Sequence, residues 1–348
     1  MKKKNNKYNI IDLFCGAGGL SEGFGQAGFN TILGIDHIEK FIETFNNNHP
    51  NAKGKSCDIT KLTLPEIDEL IEGKEIHVIV GGPPCQGFSM AGPRDRKDPR
   101  NSLFMDYVRV VNHLKPSYFV LENVRGLLSM KTAKGEDVIE IIRKEFKKIH
   151  YNIDWKVLNS ADYGVPQKRH RVIVLGAIEG KEIPPYPNKT HTKNPDESNL
   201  FDNTIPWVGV GEVLLDKKDV PESYFHSDRM IEGFIRRKEF NLKKGNGFGA
   251  QYLSLDKPSY TISARYWKDG ADALVKYSET EIRMLTLLEA ARIQTFPDDY
   301  KFTGSKRDVY TQIGNAVPCL MAKAIALEIF KMLIKNNVIT NKEHLLTI

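Results

Sequence analysis

The sequence predicts an α/β protein, a Rossmann-like sheet with a smaller domain inserted late in the chain. From Tyr8 to about Gly180, short apolar runs alternate with helical stretches, and each run ends where a polar residue or a glycine takes over. Between about Glu179 and Ser278, prolines, asparagines and isolated aromatics replace that rhythm, and a helical period returns around Tyr277. The expected organisation is a first lobe at residues 1–179, an inserted domain at 180–278, and a C-terminal part at 279–348 that rejoins the first lobe.

The elements follow in order. NIIDLF reads as the first strand, a glycine turn follows, and LSEGFGQAG opens a helix; TILGID and FIETFNNN repeat the strand–helix pair. HVIVGG, SYFVLENV and RVIVLGAI are further strands. Apolar positions three and four apart make SETEIRMLTLLEAARIQTF and CLMAKAIALEIFKMLIKNN the closing helices. In open parallel sheets, sites gather at the carboxyl ends of the strands, so the loops after these runs are where chemistry is sought.

Composition narrows the class. The chain has 348 residues, 41% hydrophobic and 27% charged, which is a globular balance. Lysine plus arginine outnumbers aspartate plus glutamate 50 to 44, a net charge of +6 that permits nucleic-acid binding without demanding it. Cys15, Cys57, Cys85 and Cys319 form no C-x-x-C pair, so they are neither a disulfide framework nor a zinc pattern. Asp12 interrupts the short apolar start, which makes a poor signal peptide. No window holds the ~18 apolar residues of a membrane helix. A reducing, cytoplasmic setting is expected, with no metal and no membrane partner.

Two loops carry candidate chemistry. Asp12-Leu13-Phe14-Cys15-Gly16-Ala17-Gly18-Gly19 ends the first strand in a glycine turn, where the backbone can approach a ligand and helix N–H groups stay free. Asp36, twenty residues beyond Gly16, can accept hydrogen bonds from ribose hydroxyls. Together they suggest an adenosine-containing cofactor; a plain strand–turn–helix with Asp36 as a helix cap is the competing explanation. Gly19-Leu20-Ser21-Glu22-Gly23 also matches a hydrolase nucleophile elbow, but Ser21 falls too far beyond the strand. After HVIV comes Gly81-Gly82-Pro83-Pro84-Cys85-Gln86-Gly87, where a thiol is either a nucleophile or inert filler, and the loop position favours the nucleophile. Glu122 and Asn123 end another strand, and a carboxylate beside a thiol suits binding and protonating a heterocycle. In QKRHR, Arg169 and Arg171 share a strand face, although a charge run is as often a solvated edge.

In this order, the motifs resemble the DNA cytosine-5 methyltransferase family of bacterial restriction-modification systems. DLFCGAGGLSEGF is similar to its methyl-donor loop, GGPPCQGFS to its catalytic loop, ENVRG to its glutamate strand and QKRHR to its arginine segment. RMLTLLEAARIQTFPDDY and QIGNAVP resemble its two closing motifs. The resemblance implies an S-adenosylmethionine-dependent methyltransferase fold with a mixed sheet, and makes 180–278 the target-recognition domain. It implies that Cys85 adds to carbon 6 of cytosine, Glu122 supports protonation at ring nitrogen 3, Arg171 holds the carbonyl oxygen, Arg169 supports the site and Asn123 positions the catalytic loop. For the donor, S-adenosyl-L-methionine, it assigns Phe14 and Ile59 to packing at the adenine and Asp58 to the adenine amino group. Gly16, Gly18 and Asn315 fall to the methionine part and Asp36 to the ribose. His37 departs from the pattern, since many relatives carry a larger aromatic or an aliphatic residue there.

The implied partner is double-stranded DNA, with the target base flipped out of the stack, and the implied state is a monomer. A companion endonuclease would act on the same short site without stable binding. Arg94, Arg96 and Arg100, in the loop after Cys85, are candidates for phosphate contacts, as are Arg236 and Arg237. Thr261 resembles the threonine of the family's Thr-plus-aliphatic pair, and Arg265 is a candidate reader. Two alternatives are an RNA substrate for the same chemistry and a silent DNA-binding relative; the sizeable basic recognition region argues against the first, and intact Cys85, Glu122 and Arg171 against the second.

Overall fold

The computed structural model describes residues 8–84, 99–132, 135–195, 203–245 and 249–346. By contacts the chain divides into two compact units, one of Met1–Leu158, His170–Asn188 and Met321–Ile348, the other of Asn159–Arg169 and Lys189–Leu320.

The first unit is built on a seven-stranded sheet of described residues. Its elements are β1 (Asn9–Leu13), α1 (Gly19–Gln26), β2 (Asn30–Asp36), α2 (Glu39–Asn48), β3 (Lys53–Ser56), α3 (Leu64–Ile71), β4 (Val78–Gly81), α4 (Pro99–Leu114), β5 (Tyr118–Val124), α5 (Val138–Lys148), β6 (Tyr151–Asn159) and β7 (His170–Ile178). The strand order is β3-β2-β1-β4-β5-β7-β6. β1 pairs in parallel with β2 and β4, β4 with β5, and β7 runs antiparallel to β5. The central strands are continuous apolar runs with no polar alternation, because helices cover both faces of such a sheet. Helix α5 explains one layer: Val138, Ile139, Ile142 and Phe146 share a face, and Phe146 stacks on Phe119 of β5 at 4.0 Å between ring centroids. The edge strand β3 is the polar run Lys53-Gly54-Lys55-Ser56, a composition that discourages pairing with another chain.

This order decides where a site can form. The chain passes from β1 outward to β2 and β3, then returns to β4 on the other side of β1. The gap between the carboxyl ends of β1 and β4 is therefore the topological switch point, where open α/β sheets bind ligands. Antiparallel β7 adds a second consequence, since its first residues come to the same edge as the last residues of β5, pairing Arg171 with Val124.

The second unit has little regular structure. It contains β8 (His191–Thr192), β9 (Ile205–Pro206), α6 (Asp228–Lys243), β10 (Val275–Lys276), β11 (Ile282–Arg283), α7 (Leu287–Ile293) and α8 (Lys306–Asn315). Its core gathers Val210, Ile262, Tyr266, Leu285, Ile293, Tyr310 and Ile313. The long helix expected over SETEIRMLTLLEAARIQTF is replaced by β11 and the short α7. Thr286 stops it from starting earlier: its side chain accepts from Glu289 N–H, and Glu289 returns the bond to the Thr286 backbone, a capping box that fixes the helix start. Glu289 also holds the fully buried Arg283 through two bonds of 2.8 Å, so the charged pair anchors the strand just before the helix. The last helix, α9, starts at Cys319 as expected but spans Cys319–Leu346, nine residues beyond the run 319–337 read from the sequence. Among the described residues no helix is long and apolar enough to cross a membrane.

Candidate active site

At the switch point, β1 ends and the chain turns through Phe14, Gly16 and Gly18, all with positive φ (63°, 56° and 92°). Phe14 is the only one of the three with a side chain to oppose that conformation, a local strain of about 1–2 kcal/mol. At Gly16 no atom lies within 4 Å of where a β-carbon would stand, so the loop is open there. Gly18 caps α1, and its carbonyl accepts from Glu22 N–H at 2.8 Å. A buried carboxylate and a half-buried imidazole brace the turn. Asp12 takes the Ser21 hydroxyl at 2.7 Å and the Ser21 amide at 3.2 Å; burial pushes its carboxyl up to about 7. The His49 ring hydrogen-bonds to the backbone of Gly18, while burial pushes it down to about 4, so it holds the loop as a neutral group. Ser21 lies inside α1 and is fully buried, which removes the nucleophile-elbow alternative.

Asp36, at the end of β2, faces this loop. One carboxylate oxygen accepts from Gly16 N–H at 3.0 Å and the other from Ile38 N–H at 3.0 Å. It thus binds the glycine turn and the entry to α2 at once, and Oδ2, the oxygen on Gly16, keeps a lone pair for a further donor. His37 is exposed, with Nδ1 3.4 Å from Asp36, whose hydrogen bond raises the ring above its ordinary value. Asp58 accepts from the Thr60 amide and hydroxyl through Oδ1, which lowers its carboxyl, and it lies close enough to His37 for their charges to interact. Ile59 beside it is buried. An open glycine turn, two carboxylates and the half-buried ring of Phe14 fit a ligand with a cationic end, a ribose and an aromatic base.

The second cluster lies at the ends of β4 and β5. Glu122 and Arg171 form an ion pair, Nε to Oε1 2.7 Å, both side chains only 13–14% exposed. Asn123 Nδ2 donates to the Pro83 carbonyl at 2.9 Å, tying the strand end to the Gly-Gly-Pro-Pro segment. A β-carbon on Gly82 would sit 3.0 Å from Glu122 Oε2, so glycine leaves room beside the carboxylate. This half-dry ion pair presents a hydrogen-bonding carboxylate and a guanidinium together, the groups needed for one edge of a flat heterocycle.

Of the remaining expected residues, Cys85, Arg94 and Arg96 lie outside the described residues; Arg100 falls in the first turn of α4, and its side chain is likewise outside. Arg169 and Asn315 belong to the second unit. Arg169 is 1% exposed and donates to the carbonyls of Ile262 (3.2 Å) and Gly314 (2.8 Å); Asn315 is exposed at the end of α8. Arg236 is exposed on α6, whereas neighbouring Arg237 pairs with Asp269 at 3.1 Å. Thr261 is exposed but its hydroxyl donates to Lys168 O at 2.8 Å, and Arg265 is exposed. Sequence reasoning missed His49 and the roles of the buried amides Gln167 and Gln294. Only the last two had a signal, each being a polar residue inside an otherwise apolar or turn-forming segment.

The profile of the C-5 cytosine-specific DNA methylase family matches residues 8–331. The Type II methyltransferase M.DdeI of Desulfomicrobium norvegicum is 35% identical, over 91% of this chain and 87% of its own. The Type II methyltransferase M1.HphI of Haemophilus parahaemolyticus is 37% identical, over 92% and 86%. Among solved structures, the Dnmt2 methyltransferase of S. pombe superposes with a TM-score of 0.72 at 20% identity, covering 95% of this chain and all of that one, a likeness of fold. With a family match over nearly its whole length, the chain belongs to the C-5 cytosine-specific DNA methylases.

Proposed function

We propose that this C-5 cytosine DNA methyltransferase, of the Type II restriction-modification kind, acts on a cytosine flipped out of a short specific duplex sequence, through a covalent bond from Cys85 to carbon 6. The carrying observation is the Glu122–Arg171 pair at 2.7 Å, its glutamate on β5, the strand adjacent to the one whose loop leads to Cys85, and its arginine on β7 beyond.

Carbon 5 of cytosine is too weakly nucleophilic to take a methyl group unaided, and a covalent detour removes that obstacle. The Cys85 thiolate adds to carbon 6, and the electron pair moves toward ring nitrogen 3. Glu122 supports the proton gained there and accepts from the amino group, while Arg171 donates to the carbonyl oxygen and keeps the carboxylate oriented. Carbon 5 is then an enamine carbon. S-adenosyl-L-methionine, when bound, supplies an electrophilic methyl on a sulfonium sulfur. Carbon 5 bonds to that methyl while the sulfur keeps the bonding pair and leaves as a neutral thioether; loss of the carbon 5 proton to solvent then expels the Cys85 thiolate from carbon 6, and release of the ring nitrogen 3 proton restores the neutral aromatic ring. Phe14, Gly16, Gly18, Asp36, His37, Asp58, Ile59 and Asn315 are the residues that would hold the donor. Asn123 positions the catalytic loop through Pro83, and Arg169 supports the fold around the recognition segment. Residues 180–278 read the target, and the biological role is protection of DNA from a companion endonuclease, in keeping with the restriction-modification relatives.

A duplex carrying 5-fluorocytosine at the target tests the covalent step, because fluorine cannot leave carbon 5 as a proton does. With donor present, the expected product is a protein–DNA complex that survives denaturation. Methylation of ordinary DNA without any such complex contradicts the covalent route. Asp36 has its own test: Asp36→Ala removes an acceptor proposed for ribose hydroxyls, and calorimetry without DNA should read donor affinity weakened about tenfold. Unchanged affinity leaves Asp36 as a brace for Gly16 and Ile38 alone.

A further inference from the structure

Deep inside the second unit, three buried polar side chains converge on one short surface segment. Gln167, fully buried, accepts from Ile262 N–H at 2.9 Å and donates to Gln294 Oε1 at 3.0 Å. Gln294, also fully buried, donates in turn to Ile313 O at 2.7 Å. Arg169 takes the Ile262 carbonyl. On the near side, Ser259 N–H donates to Pro166 O at 2.8 Å and Ser259 O accepts from Lys168 N–H at 2.9 Å, while Thr261 Oγ1 closes onto Lys168 O. Every backbone neighbour of Tyr260 is thereby fixed.

Burying amides and a guanidinium is costly unless each is well bonded, and an ordinary surface loop requires none of this. Yet what the frame presents is an aromatic side chain: Tyr260 is 44% exposed, and among the described residues its hydroxyl has no hydrogen-bond partner. Single exposed aromatics are common on protein surfaces; one held on a backbone pinned from both sides is not explained by packing. The Thr261 hydroxyl has already spent its proton on Lys168 O, which leaves Tyr260 as the donor in the segment.

We propose that Tyr260 is a specificity-determining residue that contacts the target DNA through its hydroxyl or ring face, and that Gln167, Gln294 and Arg169 are positioning residues that set its place. The inference rests on the methyltransferase reading and deepens it. A rigid donor at a base edge discriminates by leaving a wrong base unpaired with it, whereas a mobile one re-adjusts.

The test uses the full chain on duplexes bearing its methylated site and the single-base variants of that site, with initial rates giving the ratio of cognate to variant transfer. For Tyr260→Ala the ratio at one position of the site should fall about tenfold or more, with donor affinity and thermal midpoint unchanged because the side chain is exposed. Tyr260→Phe separates the two modes: loss of discrimination assigns the hydroxyl, and retention alongside loss in Tyr260→Ala assigns the ring. A ratio within twofold of wild type in Tyr260→Ala, or a uniform slowing at all sites, overturns the inference. Wild-type protein measured alongside keeps the two levels apart: its failure to methylate any duplex strikes the underlying reading, while normal wild-type transfer with an indifferent Tyr260→Ala strikes this inference alone.

Discussion

Cys85→Ala abolishes methyl transfer, by at least about 10⁴-fold, while the protein still binds duplex DNA and donor. The size follows from the chemistry, since without the thiolate carbon 5 never gains enamine character, and among the described residues no neighbouring group substitutes for a missing nucleophile. The neighbours argue the same way. Four residues before Cys85, β4 ends at Gly81, in register with Leu121 and hence beside Glu122. The nearby strand ends supply a carboxylate and a guanidinium, which assist addition to a heterocycle and cannot replace the attacking atom. The variant should also fail to form the denaturation-resistant complex with 5-fluorocytosine DNA. Residual transfer within tenfold of wild type would remove Cys85 from the mechanism.

The second large effect is expected at Glu122. Replacing it with glutamine keeps the size and one acceptor but removes the charge that supports a proton at ring nitrogen 3, and turns that position from acceptor to amide donor on one side. It also strips Arg171 of its counter-charge at a site where both side chains are largely shielded from water. Proton-transfer assistance of this kind contributes about 10²–10⁴-fold, and turnover of Glu122→Gln should fall within that range. Because the donor cluster involves the ends of β1 and β2 and not this pair, calorimetric donor affinity should hold. An unaltered rate assigns the proton to another group; a parallel loss of donor binding makes the effect structural.

Much of the first unit was legible in its letters. Runs such as TILGID and HVIVGG have no polar alternation, which is what a sheet covered on both faces requires, and their ends coincide with the candidate site residues. The polar edge strand Lys53–Ser56 was not legible, because it is defined by pairing with β2 and not by its own pattern. The resemblance implied a mixed sheet, but the residue pattern alone did not show that β7 is the antiparallel strand, and that course is what brings Arg171 to Glu122. In the second unit the helical period from Tyr277 misled, since apolar spacing alone cannot reveal that Thr286 starts the helix and that Arg283 is held in a strand by Glu289.

The site divides in the same way. The glycine turn after β1 and the glutamate at the end of β5 stood out as candidates because such residue types at strand ends have few structural uses, while Cys85 lies outside the described residues. The supports were not: His49 reaches Gly18 from the far end of α2, and Gln167 meets Gln294 across 127 positions of sequence. A contact of that separation exists only once the chain has folded.

The most direct test of methyl transfer to carbon 5 of cytosine is base-resolution mapping of 5-methylcytosine in plasmid DNA incubated with the purified protein and S-adenosyl-L-methionine. The expected result is modification at every copy of one short sequence and nowhere else, with the methyl on carbon 5. Donor bound but no cytosine modified in any duplex, or methyl groups found on another atom of the base, would contradict it.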